Sequence, residues 1–241
     1  MAWFFTKYNI NSDKYIISGE NAKHISKVLR MQKGEELTLV TPDRMECMCE
    51  VFSITSDSVT VDILSKKPCE NEPNVFVTLY QALPKSDKMD YIIQKCVELG
   101  ISRIVPVISA RCVSRPDAKS LAKKKERWQK IAKQAAMQSR RGMVPEVCDC
   151  ISFKKAAEQT TQNDKTIIFY EMGGESVKKI LADKANSIGM FIGSEGGFEQ
   201  SEVDLIVKNG GSPATLGKRI LRAETAPLTA LSIIMYQTNN F

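Results

Sequence analysis

The chain carries one histidine in 241 residues, His24. That scarcity excludes a metal centre built on several histidines, and a Ser-His-Asp hydrolase would have to use His24 itself. His24 lies in Asn21-Ala22-Lys23-His24-Ile25, with no nucleophile motif beside it, and reads as a surface or packing residue. No apolar run approaches the roughly 20 residues that span a bilayer. The opening stretch MAWFFTKYNI has neither a basic n-region nor a long apolar core, so no signal peptide is expected there. The 7 cysteines are odd in number and lack a secretory context, which points to reduced thiols and a cytoplasmic setting. Cys47-Met48-Cys49 and Cys148-Asp149-Cys150 each read as two thiols on one face of a strand. Zinc pairs usually take a wider C-x₂₋₄-C spacing. These cysteines therefore read as small core residues, and no metal is expected.

Phosphate-cradling motifs are missing too. Neither a P-loop Lys-Ser/Thr nor the spacing of a dinucleotide fingerprint occurs in the chain. What is present is a pair of glycine-bearing loops near the end. Met190-Phe191-Ile192 runs into Gly193-Ser194-Glu195-Gly196-Gly197, and Ala214-Thr215-Leu216 runs into Gly217-Lys218-Arg219. Each reads as a buried strand that stops at its carboxyl end in a turn, where ligands sit in open α/β sheets. Two such loops at adjacent strand ends make a slot walled by main-chain N–H and C=O groups. Glu195 would repel a polyphosphate. Backbone groups plus a carboxylate suit an adenine or ribose and a cationic ligand.

The segments Ile192-Gly193-Ser194-Glu195-Gly196-Gly197 and Leu216-Gly217-Lys218-Arg219-Ile220-Leu221-Arg222-Ala223-Glu224-Thr225-Ala226 resemble the paired signature of the ribosomal RNA small-subunit methyltransferase E family. That family belongs to the SPOUT class of knotted methyltransferases. The likeness continues through Asn21 to Glu35, through Arg127 to Glu146, and through Ala82-Leu83-Pro84-Lys85. Ser194 stands where the family usually has Pro, and Trp3 where it often has Arg.

The pattern along the chain divides in two. Residues 1–70 read as closely spaced short strands, over Trp3-Phe4-Phe5, Glu36 to Val40, Cys47 to Ile54 and Val59 to Ile63, with one short helix from Asn21 to Leu29. Such spacing suggests a small barrel. Ser65 to Pro73 is the best linker. From 74 to 241 strands alternate with helices, which argues for a mostly parallel sheet covered on both faces. The resemblance implies a PUA-like β-barrel at 1–70 and a SPOUT α/β domain with a C-terminal trefoil knot at 74–241.

The resemblance also implies a reaction: transfer of a methyl group from S-adenosyl-L-methionine to N3 of a uridine in small-subunit ribosomal RNA, within the assembled subunit, by a homodimer. A net charge of +6, from 34 basic and 28 acidic residues, fits a polyanionic partner. Ile192, Gly193, Glu195, Gly196, Gly197, Leu216, Gly217, Ile220, Leu221 and Thr225 match the cofactor positions. Uridine N3 holds a proton at neutral pH, so the site needs a proton acceptor or a cation that stabilises the uracil anion. Arg222 is the candidate cation. Glu224 either accepts the proton or orients Arg222. Lys27, Arg30, Lys85, Gln138 and Arg141 are candidate RNA contacts. Two rivals stay open: a knotted methyltransferase acting on another base or on tRNA, and an RNA-binding assembly factor without chemistry.

Overall fold

The computed structural model describes residues 2–241 and divides the chain into two compact units. The first comprises the residues up to Glu72 together with Ala136–Val144; the second comprises Pro73–Ala135 and Pro145–Phe241.

The first unit is built on strands β1 (Ala2–Phe5), β2 (Lys14–Ser18), β3 (Glu36–Val40), β4 (Met45–Ile54) and β5 (Ser58–Pro68). Their order is β1-β3-β4-β5-β2, with β1 parallel to β3 and the other pairs antiparallel, a mixed half-barrel. Cys47, Cys49 and Val51 point inward with no exposure, alternating with Met48 and Glu50, as the two-residue period of a strand requires. They join Phe4, Ile25, Leu37 and Leu39 in one core. Burial pushes the Cys49 thiol up to about 12, so it is a packing group rather than a nucleophile. The expected Asn21–Leu29 helix is α1 (Gly19–Lys23) followed by a π-helical turn, His24–Val28. His24 packs edge-on against Phe4, with ring centroids 5.7 Å apart.

The expected linker begins later than its composition suggested. Ser65 to Pro68 continue β5, because β4 is long enough to pair with them. Strand β2 was not visible in the sequence: its Ile16 side chain faces solvent, so no clean alternation marks it.

In the second unit β6 (Phe76–Ala82), β7 (Arg103–Ile108), β8 (Glu146–Val147), β9 (Ile151–Ser152), β10 (Lys165–Phe169), β11 (Ser187–Ile192) and β12 (Ser212–Ala214) form one sheet in the order β12-β10-β11-β6-β7-β8, with β9 also on β7. Every pairing is parallel. β6 and β11 are near-continuous apolar runs because both faces are covered. Tyr80 and Phe191 stack at 4.3 Å across that pair. Helices α2 (Lys88–Glu98), α5 (Val177–Ile180) and α7 (Thr225–Gln237) pack together; α4 (Phe153–Glu158) packs with α6 (Gln200–Lys208). The long α3 (Ala118–Gln138) completes the set, with its residues from Ala136 onward belonging to the first unit. Cys148 and Cys150 lie in the connection between β8 and β9, not on a strand. Asp87 stands at the N-cap of α2, yet its side chain caps nothing and faces Arg127 at 3.8 Å instead.

Chain routing at the carboxyl ends of the strands sets up the site. From β11 the chain runs outward to α6, which packs beside the edge strand β12. From β12 it returns to α7, which packs on β11 and α2. The β11-to-β12 connection therefore passes over β10, and the return segment brings the chain back onto β11.

Candidate functional site

The two connections enclose a cleft of about 260 Å³. It falls just below the usual range for a small-molecule site, roughly 300 to 1,000 Å³. Its walls are the first loop, Gly193 to Gly197, and the second, Thr215 to Leu221, with Ile192, Ala223 and Ala226 behind them. One wall was not foreseen. β11 and β12 are not neighbours, because β10 lies between them. The end of β10 adds Phe169, Tyr170 and Glu171 to the lining. The run Glu171-Met172-Gly173-Gly174 after an apolar strand was the available signal for it.

The first loop is folded tightly on itself. Gly197 N–H donates to the Ser194 carbonyl at 3.0 Å, so the turn closes with serine in place of the usual proline. Ser194 is buried, and its hydroxyl donates to the Arg111 carbonyl at 3.4 Å. A Cβ on Gly193 would lie 3.0 Å from the Gly197 Cα. Gly197 has φ +66°, and a Cβ there would meet the Glu171 carboxylate at 2.5 Å. In the second loop Gly217 has φ +102°, with no heavy atom within 4 Å of where a Cβ would stand. The backbone there faces open space that a side chain would fill. Leu216, Leu221 and Phe169 supply apolar surface, and Glu171 supplies a carboxylate. This set suits a nucleoside-like group read by main-chain atoms, with a positive charge near the carboxylate.

Of the residues matched to a cofactor, all but Thr225 line the cleft. Thr225 instead opens α7, its N–H donating to the Arg222 carbonyl at 2.9 Å. Arg222 and Glu224 do not line the cleft either, but they flank Ala223, which does. Arg222 is exposed, and Glu224 is half-buried.

Lys88, which sequence reasoning passed over, joins the parts. Its Nζ lies 2.9 Å from Glu195 Oε1 and 3.0 Å from Glu224 Oε2. The Lys85 backbone N–H adds a bond to the Glu195 carboxylate at 3.2 Å. Glu195 and then Glu224 hold the ammonium above its ordinary range. Partial burial opposes ionisation of Glu195, but Lys88 and the backbone donors outweigh it and lower its pKa. Lys88 lowers that of Glu224 as well. A carboxylate held ionised in this way is a poor proton acceptor.

The candidate RNA contacts fare unequally. Lys27, Arg30, Lys85 and Gln138 are exposed. Lys27 follows the π-helical turn's start and Arg30 adopts φ 53° just beyond it. Arg141 must be corrected: its side chain is 3% exposed and paired with Glu72 at 2.6 Å, so it is a structural residue of the first unit. Trp3 is buried too, donating through Nε1 to the Arg141 carbonyl at 3.0 Å. Among the described residues no cluster of His, Cys, Asp or Glu is arranged to hold a metal ion, and no helix is long and apolar enough to cross a membrane.

Comparison with known proteins gives a consistent set of likenesses. The family model of an RNA methyltransferase domain matches residues 70–235, and that of an RNA methyltransferase PUA domain matches 17–64. The chain is 38% identical over 231 residues to the ribosomal RNA small subunit methyltransferase E of Bacillus subtilis, covering 93% of this chain and 90% of that one. It is 31% identical to the protein of the same name from Buchnera aphidicola subsp. Schizaphis graminum, covering 95% and 94%. A crystal structure of the Neisseria gonorrhoeae ribosomal RNA small subunit methyltransferase E, bound to S-adenosyl methionine, is similar at a TM-score of 0.86. It shares 31% identity and covers 98% of this chain and 97% of that one.

Proposed function

The chain belongs to the ribosomal RNA small subunit methyltransferase E family, and from that premise we propose that it methylates N3 of a uridine in small-subunit ribosomal RNA with S-adenosyl-L-methionine as donor. The observation that carries this reading is the cleft between the loops that follow β11 and β12, with its glycine cradle and its one unforeseen carboxylate, Glu171. Bound there, the donor supplies a methyl carbon made electrophilic by the neighbouring sulfonium.

The chain's own residues then have three tasks. The first is positioning, since direct displacement depends on holding the reacting atoms in line. Main-chain groups of Gly193 to Gly197 and of Leu216 to Leu221 would hold the donor, with Leu216 and Leu221 supplying apolar surface. The second is charge. Uracil N3 must lose its proton, and a nearby cation lowers the cost of the anion. Arg222 takes that role, standing exposed beside the cleft-lining Leu221 and Ala223. Glu224 is then assigned to fixing its surroundings rather than to taking the proton, because Lys88 keeps it ionised. The third is substrate capture. Lys27, Arg30, Lys85 and Gln138 offer exposed polar or cationic contacts that position RNA without reading its sequence. We further propose that the enzyme works as a cytoplasmic homodimer on assembled small subunits.

Incubation of small ribosomal subunits with the protein and methyl-labelled donor, followed by mass mapping of the modified nucleoside, tests the proposal. N3-methyluridine is expected. Label on another base, or on tRNA alone, replaces the substrate assignment. Donor binding without any transfer favours an assembly factor.

A further inference from the structure

Lys88 is the first residue of α2. An ammonium at that position faces the positive end of the helix dipole, which disfavours it. The acidic residues nearest in sequence do not offset this: Asp87 and Asp90 face Arg127. The Lys88 side chain turns instead to Glu195 and Glu224, at 2.9 and 3.0 Å. Those two carboxylates belong to different connections. Glu195 lies in the loop that follows β11, and Glu224 ends the segment that returns from β12 into α7. Without the ammonium between them they would repel each other, each pulling its own loop outward.

We propose that Lys88 is a positioning residue that latches the two walls of the cleft together, holding them in their ligand-receiving arrangement before the donor arrives. A single part-exposed ion pair does little. Here one cation serves two anions, and the Lys85 backbone N–H fixes the first of them at 3.2 Å. Loss of the charge therefore frees both loops at once. A cleft organised in advance binds more tightly because less ordering remains to be done on binding. That the ligand is S-adenosyl-L-methionine rests on the function proposed above; that Lys88 couples the loops does not.

Lys88→Met keeps the stem of the side chain and removes its charge; Lys88→Arg keeps the charge. Hydrogen exchange of the free protein reads the loops, and calorimetry reads the donor. In Lys88→Met, amides of residues 193–199 and 215–224 should lose protection together. The Kd for S-adenosyl-L-methionine should rise roughly tenfold, the loss expected for a coupled pair of part-exposed charges. Lys88→Arg should restore most of both. Glu195→Gln removes one arm of the latch and should give an intermediate effect if Lys88→Met does not fold. Unchanged protection in both segments, loosening of one segment alone, or no recovery with arginine overturns the latch. Failure of the wild-type chain to bind the donor removes the proposed function, while the exchange data still decide the role of Lys88.

Discussion

Arg141 and Glu72 form a two-pronged ion pair, Nε to Oε1 at 3.0 Å and Nη2 to Oε2 at 2.6 Å. The Gly142 N–H donates to the same carboxylate at 2.7 Å, so Glu72 anchors the 140–142 turn through side chain and backbone together. Both partners lie within the first unit, and both side chains are at most 10% exposed. Arg141 is therefore occupied where the family resemblance left it available for RNA.

Replacing Arg141 by Ala should destabilise the first unit by about 3 to 5 kcal/mol, because it leaves a buried carboxylate without its partner. Trp3 is the reporter, since its indole donates to the Arg141 carbonyl. In a Trp128→Phe background, urea unfolding followed by Trp3 fluorescence should show the midpoint falling steeply. RNA affinity at temperatures where the variant stays folded should be unchanged. A variant with normal stability and weakened RNA binding would return Arg141 to the interface.

The contrast between Arg141 and Arg222 marks how far the sequence could be read. The parallel sheet was legible because β6, β7, β10 and β11 are apolar runs bounded by turns. So were both glycine loops, although the second starts earlier than expected: β12 stops at Ala214, and Thr215 and Leu216 belong to the loop. What stayed hidden depends on long-range neighbours. Strand order placed β10 between the two loop-bearing strands and brought Glu171 to the cleft, and no local pattern encodes strand order. The Arg141 partner lies 69 positions away in the chain, and the Lys88 partners more than a hundred. A lysine opening a helix looks like surface charge until its partners are seen. Pairs such as Lys95 with Glu98, three apart on one helix, were legible because the periodicity alone brings them together.

The latch should hold across a wide pH range and fail at both ends. Glu195 and Glu224 have pKa values below their ordinary 4.5. Their contribution is present above 4.5 and is lost as pH falls through the lowered folded values. Lys88 has a value above its ordinary 10.5. Its contribution is complete below 10.5 and is lost as pH rises through the raised folded value. Amide protection of the two loops, corrected for intrinsic exchange, should thus be flat through neutrality and fall at acid pH. A fall between pH 6 and 8 would mean that a group outside this trio controls the two loops.

Two alanine substitutions in the first loop should differ in a way the geometry sets. At Gly197 the added Cβ meets the end of the Glu171 side chain, which can swing away. The remaining penalty is the left-handed φ of +66°, about 1 to 2 kcal/mol. At Gly193 the Cβ presses on the Gly197 backbone at 3.0 Å, and backbone cannot step aside without opening the turn. Gly193→Ala should therefore reduce donor affinity more than Gly197→Ala does, although Gly197 carries the unusual dihedral angle. Calorimetric titration of both variants measures the order directly, and the reverse order would mean that the turn does not form the donor cradle.

Arg222→Ala should separate chemistry from binding. Its side chain is exposed and lies outside the cleft lining, while its carbonyl accepts the Thr225 and Ala226 N–H groups at 2.9 and 3.0 Å. Those backbone bonds survive truncation, so α7 should start unchanged and the donor should bind nearly as before. The guanidinium is what is lost. If it stabilises the uracil anion in the transition state, its removal should lower kcat by about 100-fold or more, the usual cost of deleting one charge-stabilising donor. Raising the pH toward the ionisation of uridine N3 should recover part of that rate, because the solvent then removes the proton that the cation helped to displace. An Arg222→Ala enzyme with normal kcat, or one whose deficit is the same at every pH, would place the anion-stabilising charge elsewhere in the second loop, with Lys218 and Arg219 next in line.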